Sequence, residues 1–228
     1  MPPLSLFHCT GARSLRPLWA LHEINARLAS PIPYSLTSLP FPPRFHDKTF
    51  LKINPIGTVP FLSHKTPTGT ATLTESCAMT TYLAAHYLPD LLVAPSSPSF
   101  ADFLNWNAHA DATLTFPQTL VLRYTKFEKE RGLQAVGEDY GKWFISRLRL
   151  LDANLEDGRE FLCDGKFTVA DVNVGYALIL GEQLELSKRY KPQTKEYLQR
   201  LKGRGAYKSA LEEEKESDEA HGVTNVAF

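Results

Sequence analysis

The first residues that could do chemistry lie in the segment NPIGTVPFL, residues 54–62. Asn54 and Gly57 predict a tight turn, and Pro60 interrupts the short strand that follows, because proline cannot donate a hydrogen bond to a sheet. A cis Val59–Pro60 bond would turn the chain there and leave the N–H and C=O groups of Val59 unpaired by the sheet. Such groups can hold an extended, peptide-like ligand as an added strand.

A second motif, Thr74, Glu75 and Ser76, opens a predicted helix. Glu75 can pair with an ammonium group, while the Ser76 hydroxyl and the first helix amides can bind a neighbouring carboxylate. These groups suit the free end of an amino acid, which carries both charges side by side. The alternative is that the three residues only cap a helix.

The elements that must position these motifs follow the order βαβ and then ββα. In chain order the predicted elements are a strand (4–9), a helix (14–26), a strand (34–39), two short strands (59–62 and 70–73) and a helix (74–88). This order needs one crossover helix and one hairpin. It therefore predicts an α/β domain with a mixed sheet of about four strands and helices packed on it.

The remainder of the chain is predicted to be helical. Residues 89–99 are rich in proline and serine and are predicted to be a linker, and apolar residues then recur at helical spacing through residues 100–211. Thr168 and Asp171 stand three apart, as in a capping box, and we assign them to folding. The final residues, 212–228, are polar and charged and are predicted to be disordered.

Charge and composition exclude several classes of function. Lys and Arg number 25 and Asp and Glu number 25, so the net charge of zero provides no field to attract nucleic acid or a membrane surface. The sequence has neither a signal-like start nor a run of about 18 apolar residues, which predicts a soluble, cytoplasmic protein. Its three cysteines are too widely and irregularly spaced for a disulfide framework or a zinc site, so we expect no metal.

The motifs at 54–62, 74–76 and 167–174 together resemble those of the cytosolic glutathione transferases, in particular fungal and bacterial members. The resemblance covers almost the whole chain up to the acidic tail. It implies a thioredoxin-like N-terminal domain, residues 1–88, that binds glutathione, and an all-α C-terminal domain, residues 100–211, that binds an electrophile. It also implies a homodimer.

The same resemblance implies a set of glutathione contacts. Val59 would pair with the cysteinyl part of the ligand, and Glu75 with Ser76 would hold its γ-glutamyl end. Basic groups from the crossing before Asn54 would meet its glycine carboxylate. The full implied set is His46, Lys52, Thr58, Val59, Pro60, Glu75 and Ser76.

The catalytic centre is expected where the first strand meets the first helix, since a helix N-terminus stabilises a thiolate. The family's tyrosine, serine and cysteine positions correspond here to His8, Gly11 and Arg13, so the catalytic loop is atypical and the usual thiol donor is missing. We take Ser14, through its hydroxyl or its amide, as the candidate donor, with Arg13 and His8 contributing. A plain N-cap role for Ser14 and a structural role for His8 are the alternatives, and Cys9 is expected to be a packing residue.

The electrophile site is expected between the loop at residues 10–13 and the first long helix of the second domain. Aromatic side chains there suit a flat or conjugated substrate. The candidate residues are Trp106, His109, Asp111, Thr113 and Phe116.

Three functions are compatible with these residues. The first is a transferase that activates the glutathione thiol for addition to an electrophilic small molecule. The second is a glutathione-dependent cis-trans isomerase of a biosynthetic pathway, in which the thiolate adds to a conjugated alkene, a single bond rotates and the thiolate leaves. The third is a binding module that holds glutathione without activating it. The transferase is the leading hypothesis, and the sequence does not distinguish it from the isomerase. The retained Glu75, Ser76 and Val59–Pro60 argue against the binding module, since a module without activity does not need to hold the γ-glutamyl end.

Overall fold

A computed structural model describes residues 3–224 of the 228-residue chain. The chain forms two units. The first contains the chain up to Leu88 and resumes at Arg204, and the second is Pro89–Gly203. The predicted linker and helical domain thus correspond to the second unit up to residue 203, whereas residues 204–211 belong to the first.

The first unit contains a mixed sheet with the strand order β2-β1-β3-β4. β1 pairs with β2 in parallel and with β3 antiparallel, and β3 and β4 form the hairpin. The predicted α/β sheet of about four strands is therefore confirmed. The strands are β1 (Leu4–His8), β2 (Tyr34–Ser38), β3 (Phe61–Thr66) and β4 (Gly69–Leu73).

The described α-helices are distributed over both units. Two short helices, α2 and α3, occupy the crossing between β2 and Asn54. None of the described helices is both long and apolar enough to cross a membrane. The helices are α1 (Leu15–Asn25), α2 (Pro43–His46), α3 (Phe50–Ile53), α4 (Ser76–Tyr87), α5 (Phe100–Ala108), α6 (Phe116–Leu122), α7 (Gln134–Arg147), α8 (Arg149–Asn154), α9 (Val169–Gln183), α10 (Pro192–Lys202) and α11 (Gly205–His221).

Helix α11 corrects the prediction that residues 212–228 are disordered. The helix continues to His221, and of residues 212–228 only 225–228 lie outside the described part of the chain. It packs on the first unit, where Tyr207 meets the buried Trp19 ring at 5.0 Å between ring centroids. Two of its acidic residues, Glu214 and Asp218, are bonded to the loop between β1 and α1, as described below. The charged composition therefore belongs to a packed helix and not to a solvated tail.

The second unit is organised around α9, which is buried along almost its whole length. The predicted capping box is present: the Thr168 side chain accepts a hydrogen bond from the Ala170 N–H at 3.3 Å, and the Asp171 carboxylate accepts one from the Thr168 N–H at 2.8 Å. Asp171 also accepts hydrogen bonds from the Leu162 N–H and the Tyr197 hydroxyl. One buried carboxylate therefore joins three segments of this unit.

Candidate functional site

The motif residues converge at one end of the sheet of the first unit. In the register of β3, Phe61 lies opposite Phe7 of β1, and Leu62 lies opposite Leu73 of β4. β3 starts at Phe61, so the chain immediately before it enters the sheet at the end of β1 that precedes α1 and at the end of β4 that leads to α4. The sheet thus brings three segments together: the NPIGTVPFL motif, the loop between β1 and α1 (residues 9–14, the first loop) and the motif at residues 74–76.

Val59 occupies the centre of this arrangement. The Val59–Pro60 peptide bond is cis, as the motif predicts. β3 begins only at Phe61, later than predicted, and the Val59 backbone forms no hydrogen bond with any described residue. Its side chain packs against a cluster that contains Cys9 and Ala12. Val59 therefore presents unpaired backbone groups beside the first loop.

The turn before Val59 is held by Asn54. The Asn54 side chain accepts a hydrogen bond from the Ile56 N–H at 3.2 Å and donates one to the Thr58 carbonyl at 2.9 Å. Gly57 adopts φ +66°, and a Cβ atom there would lie 2.7 Å from side-chain atoms of Arg44 and Leu51. The predicted turn is present, and the Thr58 carbonyl is already bonded within it.

Glu75 and Ser76 stand at the N-terminus of α4 in contrasting environments. The Glu75 side chain is exposed, makes no cap and has no bonding partner among the described residues. Ser76 is buried, and its hydroxyl accepts a hydrogen bond at 2.8 Å from the guanidinium of Arg16, which is itself fully buried in α1. Because Arg16 supplies the donor, the Ser76 proton is left for another acceptor. The site therefore offers a carboxylate, a hydroxyl donor and helix amides together.

His46 and Lys52 lie on the short helices α2 and α3 and are exposed. Neither side chain has an ion-pair partner in the part of the chain that the structure describes. Both side chains are thus open to solvent within the first unit, and their contact with a ligand carboxylate stays a prediction.

The first loop contains the candidate catalytic residues. Ser14 is fully buried, and its hydroxyl accepts from the Cys9 N–H at 3.2 Å and donates to the Cys9 carbonyl at 3.1 Å. The hydroxyl proton is therefore engaged with the loop, unlike the expectation that it points at a sulfur. The Ser14 N–H has no acceptor among residues 3–224. Of the two groups considered at Ser14, the structure leaves the amide available.

Cys9 is packed, as expected. The residue is fully buried, and its thiol donates to the Leu39 carbonyl at 3.0 Å. Burial, together with the negative charges of Asp218 and Glu214, raises the pKa of the Cys9 thiol well above its usual range. Since a thiolate is the reactive form, this thiol is a poor nucleophile.

Carboxylates from α11 hold the first loop. Glu214 accepts a hydrogen bond from the Gly11 N–H at 3.1 Å, and Asp218 accepts one from the Thr10 hydroxyl at 2.5 Å. Both acidic residues are buried, and they lie one helical turn apart. The conformation of the loop therefore depends on a helix about 200 residues later in the chain.

His8 faces the same helix. The residue is fully buried at the end of β1, and its Nε2 lies 2.9 Å from the nearest Glu214 carboxylate oxygen. Neither ring nitrogen has the alignment of a hydrogen bond, so the contact is a close approach that becomes an ion pair when the ring is protonated. This environment matches the structural alternative for His8. Arg13 is half-buried in the loop between His8 and α1.

The five residues predicted for the electrophile site all lie in the second unit, but the structure separates them. His109, Thr113 and Phe116 line one cavity, whereas Trp106 is buried in the core and Asp111 is absent from the cavity wall. The helix is irregular here, with a π-helical segment at His109–Thr115, so its side chains are not arranged around the axis as they are in a regular α-helix. The described residues contain no cluster of three or more His, Cys, Asp or Glu able to hold a metal ion.

Three residues of the candidate site were missed from the sequence: Arg16, Glu214 and Asp218. Arg16 carried a signal, because an arginine within an apolar helical segment is expected to be paired when it is buried. The two acids are spaced four apart, but that spacing is common on solvated helices and did not indicate burial. Their partners lie in the first loop.

Comparison with known proteins establishes the fold. Neither the protein-family models nor the curated proteins gave a match. Among solved structures, the chain is similar to the glutathione transferase URE2P8 from Phanerochaete chrysosporium with oxidized glutathione, at a TM-score of 0.79 and 19% identity over 95% of this chain and 96% of that one. It is similar to a glutathione transferase from Methylococcus capsulatus, at a TM-score of 0.75 and 25% identity over 93% and 98%. A glutathione transferase family member from Pseudomonas fluorescens with two glutathione bound gives a TM-score of 0.76 and 22% identity over 92% of both chains.

Proposed function

Because this chain has the fold of the glutathione transferases, we propose that it binds glutathione at the sheet end of its first unit and activates the thiol for addition to an electrophilic small molecule. One observation carries the proposal: unpaired Val59 backbone groups, an unpartnered Glu75 carboxylate and a Ser76 hydroxyl donor lie at the same end of one sheet. A packed core does not require that combination, whereas an extended peptide with a free amino acid end uses all of it.

Each part of glutathione has a matching group. The γ-glutamyl ammonium pairs with Glu75, and the adjacent carboxylate accepts from the Ser76 hydroxyl and the first amides of α4. Arg16 orients the Ser76 hydroxyl so that its proton faces the ligand. The cysteinyl backbone pairs with Val59 as an added strand, next to Thr58 and Pro60, and the glycine carboxylate meets His46 or Lys52.

The sulfur is then placed at the N-terminus of α1. Thiolate formation at neutral pH requires lowering the thiol pKa by about two units, which is about 2.7 kcal/mol of differential stabilisation. The Ser14 N–H and the dipole of α1 supply part of this stabilisation of the thiolate, and Arg13 adds positive charge nearby. His8 acts through the loop and not on the sulfur.

The second candidate is a module that binds glutathione without activating its thiol. It is supported by the two carboxylates, Glu214 and Asp218, that lie at the loop between β1 and α1. Negative charge raises a thiol pKa, as it does for Cys9, and so opposes activation. The isomerase stays open because it uses the same site and differs only in releasing glutathione. By resemblance, we also propose a cytoplasmic homodimer.

Titration of the intact protein with glutathione tests the proposal. Calorimetry is expected to detect binding, and ultraviolet absorbance is expected to show thiolate in the complex at neutral pH. Absence of binding contradicts the proposal, and binding without thiolate favours the module. With a conjugated alkene as substrate, mass spectrometry of the product separates a glutathione adduct from an isomer with glutathione regenerated.

Replacing Glu214 is expected to alter activation through the loop. Glu214→Ala leaves the buried Gly11 N–H without its acceptor and should lower kcat/KM about tenfold, since small displacements of reacting groups are costly. Glu214→Gln retains the acceptor but removes the negative charge, so the pKa of the bound thiol should fall. A pH–rate profile measures both effects. Glu216→Ala, an exposed acid on the same helix, is the control, and an unchanged profile in Glu214→Gln would remove Glu214 from this role.

A further inference from the structure

Charge is unevenly distributed along this chain, although its net charge is zero. The crossing between β2 and β3, residues 39–60, contains a single acid, Asp47. Its carboxylate accepts hydrogen bonds from the Thr49 and Phe50 N–H groups at 2.8 and 2.9 Å, so it is already engaged at the start of α3. The same crossing contains three Lys or Arg residues and is therefore locally cationic. They are Arg44, Lys48 and Lys52.

Three large apolar side chains of this crossing are exposed. Phe45 in α2 is 71% exposed, Ile53 in α3 is 46% exposed, and Ile56 in the following turn is 61% exposed. A single exposed apolar residue is ordinary, whereas several close together indicate an interaction surface.

The turn brings these segments into one region. A Cβ atom at Gly57 would lie 2.7 Å from side-chain atoms of both Arg44 and Leu51, so the turn that carries Ile56 lies directly against α2 and α3. The apolar and basic side chains therefore share one small part of the first unit, which we call the cationic patch. Its residues are Arg44, Phe45, Lys48, Lys52, Ile53 and Ile56.

The basic groups of the cationic patch are not neutralised by the protein. The side chains of Arg44, Lys48 and Lys52 are exposed, and none of them forms an ion pair with a carboxylate in the range 3–224. The Arg44 guanidinium lies 4.6 Å from the centre of the exposed Phe45 ring. The patch thus combines apolar surface with positive charge that is free to attract an anionic partner.

The exposure of the apolar groups indicates the kind of partner. A short peptide is usually held in a groove of its receptor, whereas Phe45 and Ile56 are mostly surrounded by solvent and so enter a partner. A lipid bilayer accepts apolar side chains at its headgroup boundary, and anionic headgroups attract Lys and Arg within a Debye length of the surface. An anionic bilayer therefore complements both properties of the patch.

We propose that the cationic patch binds peripherally to an anionic lipid surface, with its apolar side chains inserted at the headgroup boundary and its Lys and Arg side chains at the lipid phosphates. The inference does not depend on the proposed function. It differs from the expectation based on net charge, because attraction to a surface depends on the charge of the patch that faces it.

Co-sedimentation of the intact protein with lipid vesicles tests the proposal. Vesicles of phosphatidylcholine with phosphatidylserine should bind the protein more tightly than vesicles of phosphatidylcholine alone, and high salt should weaken this binding. Phe45→Ser should weaken it about tenfold, because an inserted aromatic group is lost. Lys48→Gln should weaken it about fivefold, because one cation near the surface is removed.

Two matched controls come from α11 of the same unit. Leu211→Ser removes another exposed apolar group, and Lys208→Gln removes another exposed cation, so both should leave vesicle binding unchanged. Absence of binding to the anionic vesicles, or binding insensitive to both Phe45→Ser and Lys48→Gln, would overturn the proposal. Glutathione calorimetry separates this inference from the proposed function: lost vesicle binding with intact glutathione binding in the unmodified protein overturns only the lipid surface.

A second copy of the chain is the alternative occupant of the cationic patch. Light scattering of Phe45→Ser tests it, and we expect the same oligomeric state as in the unmodified protein. A smaller species in this variant, with vesicle binding unchanged, would overturn the proposal in favour of an interface between copies.

Discussion

Glu75→Ala is expected to weaken glutathione binding by about 10- to 100-fold. The Glu75 carboxylate has no partner among the described residues, so a ligand ammonium would be its only strong contact. A charge-assisted hydrogen bond contributes roughly 1.5–3 kcal/mol, and each 1.4 kcal/mol is a factor of ten. Because the side chain is exposed and makes no cap, the fold should survive the change. Isothermal titration calorimetry measures the affinity.

Two further variants sharpen this measurement. Glu75→Gln keeps the size and one acceptor oxygen but loses the charge, so its affinity should fall between those of the wild type and Glu75→Ala. Glu212→Ala removes another exposed acid of the first unit and should leave the affinity within about twofold. An affinity for glutathione that is unchanged in Glu75→Ala would refute the assignment of the γ-glutamyl end.

Asp171→Ala is expected to lower the free energy of unfolding by about 3–5 kcal/mol. The carboxylate is fully buried, and burial raises its pKa to about 6 even though the hydrogen bonds that it accepts lower it. Truncation leaves the Thr168 and Leu162 N–H groups and the Tyr197 hydroxyl without an acceptor. Each unsatisfied buried donor costs roughly 1–3 kcal/mol. Urea denaturation followed by circular dichroism measures the change.

The conservative variants at the same cap separate the hydrogen bonds from the side-chain volume. Asp171→Asn retains one acceptor oxygen and should lose less stability than Asp171→Ala. Thr168→Ser retains the hydroxyl that caps α9 and should change the free energy of unfolding by less than about 1 kcal/mol. A loss of stability below 1 kcal/mol in Asp171→Ala would show that the capping box does not join the three segments.

Features that depend on a few neighbouring residues were predictable. The turn at Asn54 and Gly57, the cis bond before Pro60 and the Thr168–Asp171 capping box are each specified within about four residues. Apolar spacing likewise predicted the order of the elements along the chain and the helical second unit. The predicted start of β3, Val59, lies two residues before the observed start, Phe61. The reason is that Pro60 has no N–H to donate to the sheet.

The role of a side chain could not be predicted where several partners compete for it. Ser14 precedes a helix and was expected to point at a sulfur, but its hydroxyl closes the loop onto Cys9. Only the folded loop decides which acceptor is nearest. The electrophile residues were predicted from a single stretch of helix, and the π-helical segment at His109–Thr115 changes which of its side chains share a face.

The sequence by itself determined the fold class, the turn before Val59 and the helix cap, because turns, caps and apolar periodicity act over a few residues. Tertiary structure alone decided that the acidic C-terminal segment is a helix that holds the first loop. The Gly11–Glu214 and Thr10–Asp218 hydrogen bonds join residues 203 and 208 positions apart. The carboxylates of an acidic helix can be either solvated or bonded to other parts of the protein. Only the tertiary structure, which places hydrogen-bond donors beside them, decides between these two states.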